Sequence, residues 1–160
     1  MENENKEAMM VAQNDNYVVT GFEGLGGNSN TRTEVITNIT DEKKLFNLGN
    51  KVDVMLNDCE GETIRVKEVL IKRYEKPLET PLIDDTTGEI IKDKDVTMSC
   101  VLVDEDNKSY ATGSKVFTID LMRYLQIKAR TGKTNESFDI KIIKKKVGEK
   151  GNKALSFELV

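Results

Sequence analysis

The sequence predicts a mainly β domain. Five strands and one helix follow one another as β-β-β-α-β-β, behind a short helical and irregular lead-in. Three observations predict it. From residue 62 onward apolar residues recur mostly at period two, the mark of half-buried strands. One segment there, KVFTIDLMRYLQIKA (115–129), recurs at helical period instead. No stretch alternates strand and helix as a parallel sheet requires, and the sequence contains no internal repeat.

Residues 1–16 are polar and acidic without a sustained period and read as a disordered arm. YVVTGF (17–22) has the β-branched and aromatic content of a short strand, and GFEGLGGNSN (21–30), with four glycines, reads as a flexible loop. Residues 1–33 are therefore set apart as an acidic arm with a glycine-rich loop, and 34–160 as the domain, its barrel proper starting near 62. EVITNIT (34–40) is a second short apolar stretch. Thr40 before DEKKLF predicts a capped helix ending near Gly49, although Thr40 with Lys43 makes only half a capping box. DVML (53–56) reads as a further short helical turn.

ETIRVKEVLIKRY (62–74) is a long strand. Ile64 and Val66 share a face, the phase breaks at Lys67-Glu68, and Val69 and Ile71 resume it, which is the pattern of a β-bulge. Residues 75–95 form an excursion holding both prolines, with DDTTGE as a hairpin tip. VTMSCVLV (96–103) is the second strand, DEDNK a turn and SYATG (109–113) the third strand. The helix presents 117, 121, 122, 124, 125 and 127 on one face and stops at Gly132. FDIKIIKKKV (138–147) and ALSFELV (154–160) alternate as the last two strands, joined by a turn. A five-stranded meander with a helix between strands three and four has the order of an OB-fold barrel.

Composition bounds the chemistry. The 160 residues suffice for one domain plus a loose arm. The net charge of −4 is uneven: residues 1–60 hold 5 Lys/Arg against 11 Asp/Glu, and residues 61–160 hold 19 against 17. With no histidine, the commonest general base is missing. No catalytic residue, metal site or cofactor is expected. Cys59 and Cys100 form no CxxC pair and read as two reduced thiols. GKT at 132–134 follows a helix and lacks a glycine at residue 127, so it is not a phosphate loop. GFEGLGG is out of register for a dinucleotide fingerprint, and DEDNK and DDTTGE lack calcium-loop spacing. Neither a secretory signal nor a bilayer-spanning run is recognisable, and a cytoplasmic protein is expected.

The remaining signal points to single-stranded nucleic acid. An OB barrel binds strands across its second and third strands and the adjoining loops. Single strands are held by a basic groove and aromatic platforms. Arg65, Lys67, Lys72 and Arg73 line the first strand and Tyr74 ends it. Lys108 and Lys115 bracket Tyr110, whose small neighbours would let a flat base approach. Lys141, Lys144, Lys145 and Lys146 crowd the fourth strand, and a solvated strand end or edge protection also explains the run 144–146. For Tyr110 a packing role at the barrel rim is equally open, whereas Tyr124 reads as core.

LNDCEGETIRVKEVLI (56–71), DDTTGEI (84–90) and VLVDEDNKSYATGSKVFTIDLMRYLQI (101–127) resemble the single-stranded DNA-binding proteins of bacteriophages infecting Gram-positive bacteria. The resemblance covers about 56–127, is weaker over 138–160, and leaves residues 1–33 uncovered. It implies an OB-fold protein that coats single-stranded DNA during phage genome replication, without sequence preference or catalysis. Carried over by position, Lys108 and Tyr110 of the KSY motif are the best candidates for DNA contact. Asn107 stands where that family's turn has glycine, a position asparagine tolerates. Two roles are open for the acidic arm: competing with DNA for the groove, or recruiting replication proteins. The rival class is an OB-like protein-interaction module without nucleic acid, consistent with the net charge of −4 and aromatic content of 6%.

Overall fold

The computed structural model describes residues 18–23, 32–134 and 136–160. The chain is mainly β, a strongly curled half-barrel sheet with two helices. The expected arm at 1–16 and most of the glycine-rich loop lie outside the described residues. The elements run β1 (Val18–Glu23), β2 (Arg32–Thr37), α1 (Glu42–Asn50), β3 (Val54–Met55), a 3₁₀ turn (Leu56–Cys59), β4 (Thr63–Ile83), β5 (Ile90–Asp104), β6 (Ser109–Thr112), α2 (Lys115–Arg130), β7 (Phe138–Val147) and β8 (Asn152–Leu159).

β4 is the spine. One of its edges pairs with β5 from Val66↔Asp104 to Ile83↔Ile90. The other is shared: β7 takes Thr63–Val66 and β2 takes Leu70–Glu75. Between them lies the expected bulge, a register shift between Val66 and Glu68. Asn38 fills this break. Its side chain donates to Lys67 O at 3.2 Å and accepts from Val69 N at 2.9 Å, standing in for a strand where none pairs. β1 pairs with β2, β6 with β5, and β8 with β7, all antiparallel.

The main core lies on the concave face. Ile64, Val66, Val69 and Ile71 of β4 meet Cys100 and Leu102 of β5, and Phe117, Leu121 and Leu125 of α2 cover them. Tyr124 packs against this core, edge-on to Phe138 at 4.9 Å, as its sequence context implied. Ile127, on the expected apolar face of α2, is instead exposed, and so is Leu159 at the end of β8. Ser114 caps α2 by accepting from Phe117 N and ties it to β8 by donating to Leu155 O at 3.3 Å. Gly132, at φ 70°, carries the chain out of the helix.

A second, smaller core lies on the convex face. There Leu45 and Leu48 of α1 pack over Leu70 and Val103, with Ile39, Val35 and Val101. The N-cap of α1 is Asp41, which accepts from Lys43 N at 2.9 Å and Lys44 N at 3.2 Å, so the cap is one residue beyond the expected Thr40. DVML is not a helical turn throughout: Val54–Met55 pair in parallel with Tyr110 and Ala111, and the 3₁₀ turn begins at Leu56. The excursion at 75–95 is not a loop. β4 and β5 run on as a ribbon to the DDTTGE turn, where Asp84 accepts from Thr86 N and Thr87 N and Gly88 takes φ 72°.

Candidate nucleic-acid interface

The sheet alternates faces, and this sorts the ten expected contact residues. Tyr110 points inward. It is 8% exposed, belongs to the main core, and donates its hydroxyl to Asp104 Oδ2 at 3.1 Å. Burial, then the bond to Asp104, pushes its phenol up to about 12. Lys108 Nζ lies 5.5 Å from its ring centroid. The expectation of an uncovered face for a base to stack on is therefore corrected, because a ring enclosed by core offers no such surface. The small neighbours that suggested access mark a short central strand: Tyr110 has Leu102 opposite it on one side and Val54 on the other.

Three of the cations are already compensated. Arg65 is held between Glu105 at 2.9 Å and Asp139 at 3.1 Å, and those partners, Glu105 first, raise the affinity of its guanidinium for the proton. Arg73 lies on the concave face between Glu34, at 3.7 Å, and Glu75. Lys145 reaches Asp120 of α2 at 2.7 Å. Lys141 is exposed on β7, opposite Glu158 in register. Lys67 is exposed at the bulge and Lys115 at the start of α2. The turn before Tyr110 keeps the left-handed residue that asparagine was expected to tolerate, Asn107 at φ 62°.

Lys72 and Tyr74 share the convex face of β4. Val35 and Ser99 flank Lys72 in register, and Thr33 and Thr97 flank Tyr74. Tyr74 is 38% exposed. Beside them an open groove of about 290 Å³ lies between the end of α1 and the convex face of β5 and β6. Lys51, Lys72 and Met55 line it, above a floor of small residues that includes Ser99, Ala111 and Gly113. Neither Lys51 nor Lys72 makes an ion pair with a described residue. Lys115 follows Gly113 by two positions, at the same end of β6. The structure thus joins Lys72, Tyr74 and the start of α2 along one surface. It sets Lys141 and Lys145 apart on β7, which lies across β4 from β5.

Sequence reasoning missed Lys51 and the cover supplied by α1. The signal for that cover was Leu45 and Leu48 at helical spacing, which says that a face is buried but not what lies under it. Also missed was the anchor of β6 to the lead-in: Asp53 accepts from Ser109 N at 2.9 Å and Ser109 Oγ at 3.1 Å, bonds that hold its carboxyl below the usual range. Among the described residues no group of His, Cys, Asp or Glu is placed to hold a metal ion, and no helix is long and apolar enough to cross a membrane. Comparison with protein-family models, with curated proteins and with solved structures finds no match.

Proposed function

We propose that the chain is a binding module of OB type. The pairing path β6-β5-β4-β7-β8, with α2 between β6 and β7, supports this reading. It is the path of a five-stranded barrel left open at one seam. More particularly, we infer a protein that coats single-stranded DNA without sequence preference, as the resemblance to phage proteins over 56–127 implies.

One observation carries the reading. On the convex face of the second and third barrel strands, a groove holds two lysines that make no ion pair with a described residue and a small-residue floor, with an exposed tyrosine alongside. Lysines that displace condensed counterions supply affinity, and a tyrosine face supplies a platform that any base can use. The small floor lets a flat base lie close to the sheet.

The test is fluorescence anisotropy of a labelled oligo-dT at low and high salt. Binding should weaken steeply as salt rises. Lys72→Glu should lower affinity mainly at low salt. Tyr74→Ala should cost roughly 1–3 kcal/mol, the usual worth of one stacked base. No binding at low salt refutes the reading. It would favour the second one, a protein-interaction module, for which the apolar tip of the β4–β5 ribbon speaks.

A further inference from the structure

The β4–β5 ribbon runs on past the body of the sheet. β2 pairs with β4 as far as Glu75, and β6 pairs with β5 only from Cys100. From Lys76 to Ser99 the two strands have only each other among the described strands. A two-stranded ribbon alone is marginal in water. This one ends in Leu82, Ile83, Ile90 and Ile91, all about half or more exposed, with Ile83 and Ile90 directly opposite. Single exposed apolar residues are ordinary, but four clustered on a projecting tip mark a contact surface. The same tip, residues 79–91, carries four carboxylates and no cation.

The β7–β8 hairpin has the opposite character. Residues 144–153 carry five lysines against Glu149 alone. Lys144 and Lys145 are spent on Glu60 and Asp120, whereas Lys146, Lys150 and Lys153 make no ion pair with a described residue. Among the described strands β8 pairs only with β7, so its outer edge carries no described strand, although Ser114 reaches the Leu155 carbonyl there. The ribbon has an open edge too. Pro77 and Pro81 take two donors from β4 and blunt that side, but β5 has no proline between Ile90 and Ser99.

We propose that the acidic, apolar tip of the β4–β5 ribbon docks on the lysine-rich β7–β8 hairpin of a second copy of this chain. Charge makes the choice. Tip against tip sets four carboxylates against four, and hairpin against hairpin opposes lysines, so only the mixed contact is complementary. The exposed isoleucines lose water against the aliphatic stems of the lysines. The open edge of β5 can extend the sheet along the open edge of β8. Because the two surfaces differ, every copy keeps one of each free, and the contact propagates as an open chain rather than closing as a dimer. It needs no DNA and stands or falls independently of the single-strand reading.

Sedimentation velocity on the full chain, at rising concentration and two salt levels, tests this. The mean mass should climb past that of a dimer at low salt and fall as salt is added. Lys146→Glu with Lys150→Glu and Lys153→Glu should weaken association by about tenfold or more. Glu79→Lys with Asp85→Lys and Glu89→Lys should do the same. Asp84 is left in place because its carboxylate holds the turn. Both sets lie outside the core, so circular dichroism should show each variant folded. An equimolar mixture of the two sets joins the reversed tip of one variant to the reversed hairpin of the other and should regain association. A monomer at every concentration, a mass that saturates at the dimer, or a charge reversal of tip or hairpin without effect overturns the proposal. Association lost on removing residues 1–16 but insensitive to these charge reversals overturns it as well.

Discussion

Replacing Tyr110 by alanine separates a core role from a ligand role. Truncating a large buried aromatic costs roughly 3–5 kcal/mol. The lost hydroxyl bond to Asp104 adds about 1 kcal/mol. A domain of this size has only about 5–15 kcal/mol in all, so Tyr110→Ala should sit near the edge of folding. Tyr110→Phe keeps the ring and removes only the hydroxyl, and should cost about 1 kcal/mol. Urea denaturation followed by circular dichroism measures both. The pH dependence gives a second reading. The folded phenol is pushed up to about 12 against an ordinary 10.0, so the folded state keeps a proton that the unfolded state releases. Its contribution, about 2–3 kcal/mol, is fully present below pH 10 and is lost as pH rises from there through about 12. The stability of wild type should therefore fall to that of Tyr110→Phe and below it across this window. An unchanged urea midpoint for Tyr110→Ala, together with weakened oligo-dT binding, would refute the core assignment. Tyr74→Ala should behave in the opposite way, with stability within about 0.5 kcal/mol of wild type and oligo-dT binding weakened.

Asn38→Ala should destabilise by about 1–3 kcal/mol, because Val69 N loses its acceptor at the bulge; amide exchange at Val69 should accelerate, and unchanged exchange would count against the bridge. Cys59 and Cys100 are buried, and burial pushes their thiols up to about 11 and about 12. Both should resist a thiol reagent in the folded protein and react together on unfolding, and prompt native labelling would contradict their burial. Leu45→Asp with Leu48→Asp should release α1 from the convex face, dismantle the groove it walls and lower both oligo-dT affinity and stability. Unchanged or raised affinity would show that α1 is no part of the interface.

What was legible in the sequence follows physical range. The bulge at Lys67-Glu68, the DDTTGE turn, the left-handed Asn107 and the α2 stop at Gly132 are local, fixed by a few adjacent residues, and the structure has each of them. The extent of β4 and β5 was not legible. Residues 75–95 read only as an excursion holding both prolines with a hairpin tip, but a ribbon with a free edge accommodates prolines that a central strand would not. The fate of Tyr110 was hidden for a different reason. Its neighbours in sequence are small and polar, but what encloses it comes from Val54, Leu102 and the main core, all distant along the chain. The candidate site was legible only in part. Lys72 and Tyr74 were named from strand position, whereas the groove depends on where α1 comes to rest.

Ion pairing then decides where an anion would go. On the concave side of the extended sheet, Arg32, Glu34, Arg73, Glu75 and Lys94 compensate one another. A phosphate arriving there would meet three cations already paired with two carboxylates, and breaking these pairs would offset much of what it gained. At the β4–β7 seam Arg65 is held by two carboxylates. Several lysines make no ion pair with a described residue, Lys67, Lys115 and Lys141 singly and others grouped at the convex groove and at the end of the β7–β8 hairpin. Of these two groups, the groove has an exposed tyrosine beside it and a floor of small residues. The hairpin has charge without an aromatic platform, which suits an acidic protein surface better than a run of bases. On the two proposals the basic surfaces would divide the tasks, one for the strand and one for the neighbouring copy. A chain of copies joined tip to hairpin would present its grooves at regular intervals. Lys72→Glu should then weaken DNA binding without changing self-association, and reversal of the hairpin lysines should weaken self-association while leaving a single copy's affinity for a short oligo-dT intact. Loss of both properties in either variant would mean that one surface does both jobs.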